Sequence, residues 1–285
     1  MDRILRSWDL LRQSFAILMS DVELLWLPVY SAIATGAVSL LLLSGGVLIF
    51  LPDFQRLTAT GLRHPLMSGN SGMWAGLFIF YVVNYFIVVF FNVALVSTAG
   101  DRLAGGKATV NDGLKLAWER KGKILQWAIL AATVGILLRA LERRMSVLGR
   151  LTAGLIGVAW TLACYFVVPV LAVENLGPVE ALERSARLLR ETWGEGLSGG
   201  FSFGFFFMLL GLPSVLLVFY SRTLGGSAFL AALVTAVIYW MLLSIVSSAL
   251  HGIFVAALYH YARTKQVTGG FSKDDLTSVW RPGIV

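Results

Sequence analysis

Residues 160–212, WTLACYFVVPVLAVENLGPVEALERSARLLRETWGEGLSGGFSFGFFFMLLGL, decide the fold of this chain. The stretch opens with an apolar segment that ends near Glu174 and Gly177, and Pro178 then favours the first turn of a new helix. From Pro178 onward, apolar residues recur at helical spacing while charged residues fall mostly on the opposite side. A second apolar segment follows Gly194. This pattern predicts a membrane span, then a helix lying at the membrane interface, then another span.

The composition of the whole chain excludes an ordinary water-soluble globule. Hydrophobic residues make up 57% of the 285 residues, charged residues only 14%, and the mean hydropathy is +0.77. Six apolar runs are each long enough to cross about 30 Å of hydrocarbon. We therefore expect an all-α polytopic membrane protein that forms one integral membrane domain over residues 1–285, with spans at 24–51, 73–99, 124–141, 147–173, 197–220 and 228–262.

The distribution of basic residues predicts the orientation of these spans. Sixteen of the 23 Lys and Arg residues fall on one side if all six runs cross. The positive-inside rule then places both chain ends in the cytoplasm, with residues 263–285 as a cytoplasmic tail and 53–72 as an external loop. Topology and attraction to anionic lipids account for the net charge of +7. We expect no nucleic-acid partner, because no soluble basic domain is present.

Three stretches have the pattern of amphipathic helices on the cytoplasmic surface. The first covers residues 1–20, the second follows a cap at Asn111 or Asp112 and includes Leu125, and the third begins at Pro178. The apolar residues that would face the membrane interface include Trp8, Leu11, Trp118, Leu189 and Trp193.

These three helices suggest an internal repeat. Aligning Asp2, Asp112 and Glu180 brings Trp8 over Trp118, and an apolar run follows each helix. A repeated unit of one interfacial helix and one span is the hypothesis. Chance similarity among short amphipathic helices is the alternative.

Polar side chains within two spans form a candidate intramembrane cluster. The second span carries Asn84 and Asn92, and the sixth carries Ser247, Ser248 and His251. If these spans meet, the five side chains could line a water-accessible path, although ordinary hydrogen bonding between helices would also explain them. The middle of each span is free of Asp and Glu, which argues against a simple proton-driven pump.

The fifth predicted span contains small residues at regular spacing. Gly196, Gly200 and Gly204 follow one another at intervals of four, which lets another helix backbone approach closely. We expect these glycines to serve helix packing. A substrate path along their exposed carbonyls is the alternative.

The sequence offers little support for catalysis or metal binding. Residues 200–204 match G-x-S-x-G around Ser202, and His251 lies in the next span, which would suit an intramembrane hydrolase. That motif requires a strained strand-to-helix turn, however, and here it lies in a helical run. The three histidines have no second ligand at metal-binding spacing, and Cys164 is the only cysteine. We therefore expect no enzyme activity, no catalytic residues, no metal and no cofactor.

Two segments carry a resemblance to a known family. Residues 168–195, VPVLAVENLGPVEALERSARLLRETWGE, and 7–29, SWDLLRQSFAILMSDVELLWLPV, resemble uncharacterised polytopic membrane proteins of bacteria and archaea that are grouped as a domain of unknown function. More distantly, the chain is similar to the membrane domain attached to some glycerophosphodiester phosphodiesterases. The resemblance implies a fold and a bacterial inner-membrane location. It implies no active residues, since the phosphodiesterase catalytic domain is missing from this sequence.

Two functional hypotheses follow from these features. The first is transport or permeation of a small solute, an ion or a lipid. The second is a non-enzymatic membrane scaffold or membrane-homeostasis factor that acts through its interfacial helices. In both, membrane lipids are partners and a homo-oligomer is expected, while the sequence indicates no particular partner protein.

Overall fold

The computed structural model describes residues 14–19, 21–59, 71–144, 147–193 and 203–267. Within these ranges every regular element is helical, which confirms the all-α fold class. The predictions for Trp8, Leu11, Gly196, Gly200 and Ser202 lie outside the described residues.

Nine helices follow a single turn of 3-10 helix at Val22–Leu25 within the described ranges. They are α1 Trp26–Ala59, α2 Ser71–Leu103, α3 Val110–Glu119, α4 Lys121–Arg144, α5 Val147–Ala163, α6 Val167–Val173, α7 Pro178–Trp193, α8 Phe203–Ser221 and α9 Gly226–Thr264.

Five helical segments of the described chain are long and apolar enough to cross a membrane. They are Val22–Gly45, Ala75–Leu103, Lys121–Ala140, Gly154–Val173 and Gly226–Thr264. These segments coincide with five of the six predicted spans, so the chain is a polytopic membrane protein. The remaining predicted span, 197–220, falls on α8, whose apolar part Phe207–Ser221 is shorter than the other five. A full crossing by α8 stays a prediction.

A tight turn divides the fourth span into α5 and α6. The Tyr165 N–H donates to the Leu162 carbonyl at 3.1 Å, and the Val167 N–H donates to the Cys164 carbonyl at the same distance. At this turn the buried N–H of Phe166 donates to the Ser185 hydroxyl at 2.9 Å. Since Ser185 lies on α7, this hydrogen bond fastens α7 to the broken span.

The buried residues concentrate at one end of the helix bundle, which we call the packed end. There α2 and α9 finish side by side, and α3, α6, α7 and the start of α4 pack around them. The large side chains Trp127, Phe166 and Phe254 are almost completely buried. At the other end, α1, α8 and α9 expose apolar side chains such as Leu40 and Phe219, at 72% and 74%. Such surfaces suit contact with lipid.

The helices α2 and α9 pack closely at Gly252. A Cβ atom there would lie 2.4 Å from Leu95 Cδ2 and 2.9 Å from Leu95 Cγ, so a larger residue would require the Leu95 side chain to shift or the two helices to separate. Gly252 therefore lets the two long spans meet just before they reach the packed end.

Two local predictions from the sequence are wrong. The N-cap of α3 is Thr109, whose backbone is extended as a cap requires, whereas Asn111 and Asp112 already lie inside the helix, which ends at Glu119 before Leu125. Residues 53–59 are helical rather than part of a loop, because α1 continues to Ala59. Polar composition does not distinguish the exposed end of a long helix from a loop.

Candidate functional site

A cavity of about 530 Å³ lies at the packed end, and although apolar residues form most of its lining, we call it the polar cavity for the charged side chains that also line it. Its walls come from the end of α2, the start of α3, the end of α6 and the end of α9, together with Arg120 between α3 and α4. Its ionisable side chains are Asp101, Asp112, Arg120, His260 and Arg263. Charged residues from several helices thus converge on one space where the spans end.

The loop between α2 and α3 forms one rim of this cavity, and Arg102 fixes its position. Arg102 forms ion pairs with Asp21 at 2.6 Å and Glu23 at 2.9 Å, and its Nε donates to the Ala108 carbonyl at 2.8 Å. The Ala108 N–H in turn donates to Asp101 Oδ2 at 2.9 Å. These bonds connect the loop to both the N-terminal segment and α2.

Gly105 and Gly106 allow the chain to turn sharply within this loop. Gly105 has a φ of +87°, which glycine adopts without the steric cost that a side chain would meet. A Cβ atom on Gly106 would overlap the Asp101 carboxylate, at 2.1 Å from Oδ2. The sequence predicts a turn here, and the structure explains why both residues must be small.

Asp112 begins α3 through a capping box with Thr109. The Asp112 N–H donates to the Thr109 hydroxyl at 3.3 Å, and the Thr109 N–H donates to Asp112 Oδ2 at 2.9 Å. The Thr109 hydroxyl also donates to Asp112 Oδ2, at 2.7 Å. These hydrogen bonds from Thr109 lower the pKa of Asp112, so its carboxylate is charged at neutral pH.

Basic residues at the start of α4 cap the end of α6. Arg120 Nη1 donates to the Leu171 carbonyl at 2.5 Å, and Lys123 Nζ donates to both the carbonyl and the side-chain oxygen of Asn175. Cations at the carboxyl end of a helix satisfy its last carbonyls and complement its dipole. Arg120 is half-buried, and this desolvation lowers its pKa.

Glu174 connects three helices beside the cavity. Its carboxylate accepts hydrogen bonds from Arg184 Nε at 3.0 and 3.1 Å and from the Tyr259 hydroxyl at 2.8 Å. Arg184 lies on α7 and Tyr259 on α9, while Glu174 directly follows α6. Tyr259 also contributes to the cavity wall, so this network positions the side of the cavity that α9 forms.

The cavity adjoins the contact between Leu95 and Gly252. Val96 of α2 and Ala256 of α9 line the cavity. Leu95 directly precedes Val96, and Gly252 lies one helical turn before Ala256, so the contact between Leu95 and Gly252 is next to the cavity wall. The polar space therefore adjoins a close apolar contact between the two longest described spans.

The predicted intramembrane residues have different surroundings in the structure. Asn84 accepts a hydrogen bond from Ser39 of α1 at 2.7 Å and donates to the Phe80 carbonyl of its own helix at 2.9 Å. His251 is exposed, and its ring lies edge-on to Tyr165 at 6.3 Å. Asn92, Ser247 and Ser248 are half-buried. The structure thus joins Asn84 to α1, and a cluster of all five residues stays a prediction.

The apolar residues assigned to interfacial helices do not all face outward. Leu189 is buried against the protein at 2% exposure, whereas Trp118 is 61% exposed and lies under Lys121 Nζ at 3.9 Å. Trp193 is the last residue of α7. Because Leu189 packs into the core, α7 is an integral part of the bundle.

Among the described residues, α8 packs closely on α9 at Gly211, and close packing at Gly196, Gly200 and Gly204 stays a prediction. Gly204 lies in the first turn of α8, but the described contact with α9 is at Gly211, where a Cβ atom would lie 2.2 Å from Trp240 Cζ2. A second cavity, of about 650 Å³, lies between these helices near Arg222 and is lined mainly by apolar residues. Within the described chain, no group of three or more His, Cys, Asp or Glu residues could hold a metal ion.

Sequence reasoning missed the residues that form the polar cavity. Arg120 and Arg263 contributed only to the count of basic residues, and Glu174 only to the end of a helix. Their position next to the ends of apolar runs was the available signal, because charges just beyond a span lie where helices converge. The sequence alone does not show which of these basic residues line the cavity, because that depends on which helices become neighbours.

The fold and its cavity define an all-α polytopic membrane protein with a charged space at one end of its bundle. Residues 71–270 match the family described as a family of unknown function, DUF6159, and the chain belongs to this family. No curated protein and no solved structure matches the chain. These comparisons give no support to the resemblance to the membrane domain of glycerophosphodiester phosphodiesterases.

Proposed function

We propose that this protein moves a small solute, an ion or a lipid across the bacterial inner membrane and that the polar cavity receives the transported species on the cytoplasmic side. The observation that carries this proposal is the cavity of about 530 Å³, because its volume lies within the range of small-molecule binding sites. In this proposal both chain ends are cytoplasmic, in agreement with the positive-inside rule.

The contact between Leu95 and Gly252 would then act as the closed part of the path. It lies beyond the cavity, toward the middle of the bilayer, and separation of α2 and α9 would open it. Such a movement is of the kind by which transporters expose a site alternately to the two sides of a membrane. We also propose a homo-oligomer, which the exposed apolar surfaces of α8 and α9 would accommodate.

A flux assay on the full chain in liposomes tests transport. We expect release of K⁺, uptake of phosphoethanolamine or movement of a fluorescent phospholipid between leaflets to exceed the leak of empty vesicles. Arg120→Gln should lower that flux several-fold, because it removes a charge from the cavity, while Arg187→Gln on the exposed side of α7 should not. Flux of all three probes at the level of empty vesicles would remove the proposal.

The scaffold hypothesis is the second candidate, and the exposure of Trp118 favours it. An exposed tryptophan beside Lys121 suits the headgroup region of a bilayer. A membrane-shaping role predicts that Trp118→Ala changes the diameter of reconstituted vesicles. Equal diameters for the variant and the original protein would count against this candidate.

Intramembrane hydrolysis is the third and least supported reading. His251 lies beside Tyr165, and Ser202 is outside the described residues, so no pairing of the two can be drawn. Ser202→Ala should leave every activity of the reconstituted protein unchanged if the chain is not an enzyme.

A further inference from the structure

The cavity at the packed end contains charges of both signs that do not neutralise one another. Among the described residues the ion pairs are those of Arg102 with Asp21 and Glu23 and that of Arg184 with Glu174. None of them includes a charged group of the cavity lining. Two carboxylates and two guanidinium groups therefore face one space without an ion-pair partner in the described chain.

The two guanidinium groups that line this space are suited to an oxyanion. Arg120 uses one of its five N–H groups on the Leu171 carbonyl, and Arg263 approaches from a different helix. Guanidinium groups form paired hydrogen bonds with phosphate and carboxylate oxygens. Two guanidinium groups from different parts of the fold are better matched by the tetrahedral oxygens of a phosphate, which point in different directions, than by the two coplanar oxygens of a carboxylate.

The two lining carboxylates are suited to a protonated amine. The hydrogen bonds that Asp101 and Asp112 accept from the loop involve Oδ2 of each carboxylate. Within the described chain, Oδ1 of each is thus left to accept from another donor. A ligand that carries only an anion or only a cation would be attracted by one pair of these charges and repelled by the other, whereas a zwitterion can be attracted by both.

We propose that the cavity binds a zwitterionic phosphate ester, with its phosphate at Arg120 and Arg263 and its amine at Asp101 and Asp112. The inference rests on the proposed function, since it names the class of species that the same cavity would receive. Both a phospholipid headgroup and a free phosphate ester carry this chemistry. The cavity lies where the spans end, so either could enter it.

Calorimetric titration of the purified full chain in detergent tests the ligand class. The probes are phosphoethanolamine, inorganic phosphate and ethanolamine, and we expect phosphoethanolamine to bind at least about tenfold more tightly than the other two. Arg263→Gln and Asp101→Asn should each weaken its binding about tenfold. Asp101→Asn keeps an oxygen that can accept the Ala108 N–H, so the loop should remain intact. Arg187→Gln makes the same charge change outside the cavity and should have no effect.

A short-chain phosphatidylethanolamine separates the two sources of the ligand. Binding tighter than that of phosphoethanolamine would identify a lipid headgroup, and equal or weaker binding would identify a free ester. The proposal is overturned if no probe binds, if inorganic phosphate binds as tightly as phosphoethanolamine, or if Arg187→Gln is as harmful as Arg263→Gln.

The same measurements separate this inference from the proposed function. Tight, charge-dependent binding of phosphoethanolamine by a protein that shows no flux would support the ligand class and refute transport. Flux of K⁺ by a protein that binds none of the zwitterionic probes would support transport and refute the ligand class.

Discussion

Replacement of Trp127 by alanine will lower the free energy of unfolding by about 3–5 kcal/mol. Trp127 is 1% exposed, and its ring stacks on Trp160 at a centroid distance of 6.1 Å. Removal of the indole would leave a cavity between α4 and the broken fourth span, and the neighbouring helices could refill it only in part. Unfolding of the purified protein in mixed micelles, followed by circular dichroism, measures the loss.

Trp118→Ala is the matched control for this experiment. Trp118 lies only nine residues earlier but is 61% exposed, so its removal should cost less than about 1 kcal/mol, from its contacts with Lys121 and Phe90. If the two variants unfolded at the same denaturant concentration, the burial that defines the packed end would be refuted.

Replacement of Glu174 by glutamine will cost about 2 kcal/mol of stability. The glutamine can still accept the hydrogen bond from Tyr259, but it loses the negative charge that pairs with Arg184 at 3.0 Å. Both side chains of this ion pair are less than one third exposed, so solvent screens the interaction only in part. The same unfolding assay applies.

The control is Glu183→Gln, which changes the same charge at an exposed position of α7 and should shift stability by less than about 0.5 kcal/mol. Combining Glu174→Gln with Arg184→Gln should cost clearly less than the sum of the two single changes, because each removes the same ion pair. Strict additivity would show that the ion pair contributes nothing to the fold.

The overall fold was largely predictable from the sequence because hydrophobic run length determines it. Five predicted spans coincide with apolar helices, and α6 ends and α7 begins where Glu174, Gly177 and Pro178 predict. These features depend on local composition and on the conformational limits of proline. They require no knowledge of which helices become neighbours.

The predictions that were wrong concern features that depend on tertiary contacts or on a single hydrogen bond. The cap of α3 is Thr109 because its hydroxyl reaches the Asp112 N–H, and the sequence offered Asn111 and Asp112 as equally plausible caps. Leu189 has the spacing of a lipid-facing residue, but it is buried in the protein core. Periodicity identifies an apolar face without showing whether lipid or protein contacts that face.

The candidate site was the least predictable part. The sequence favoured the polar residues within the spans as a site, because polar side chains are unusual in hydrocarbon. In the structure, however, Asn84 accepts a hydrogen bond from Ser39 of α1. The cavity is instead lined by charges just beyond the spans, which are common in every membrane protein. Only the convergence of α2, α3, α6 and α9 distinguishes Arg120 and Arg263 from other basic residues.

The account depends most on the orientation of the bundle, with the cavity on the cytoplasmic side and the turn between α8 and α9 on the opposite side. Single cysteines at Lys107 and Thr223, in a Cys164→Ala background, test it through labelling by a membrane-impermeant maleimide. Both positions are exposed, and they lie at opposite ends of the bundle. In intact spheroplasts the account predicts labelling of Thr223→Cys alone, with Lys107→Cys labelled only after the membrane is opened. Labelling of both from the same side, or the reverse pattern, would contradict it.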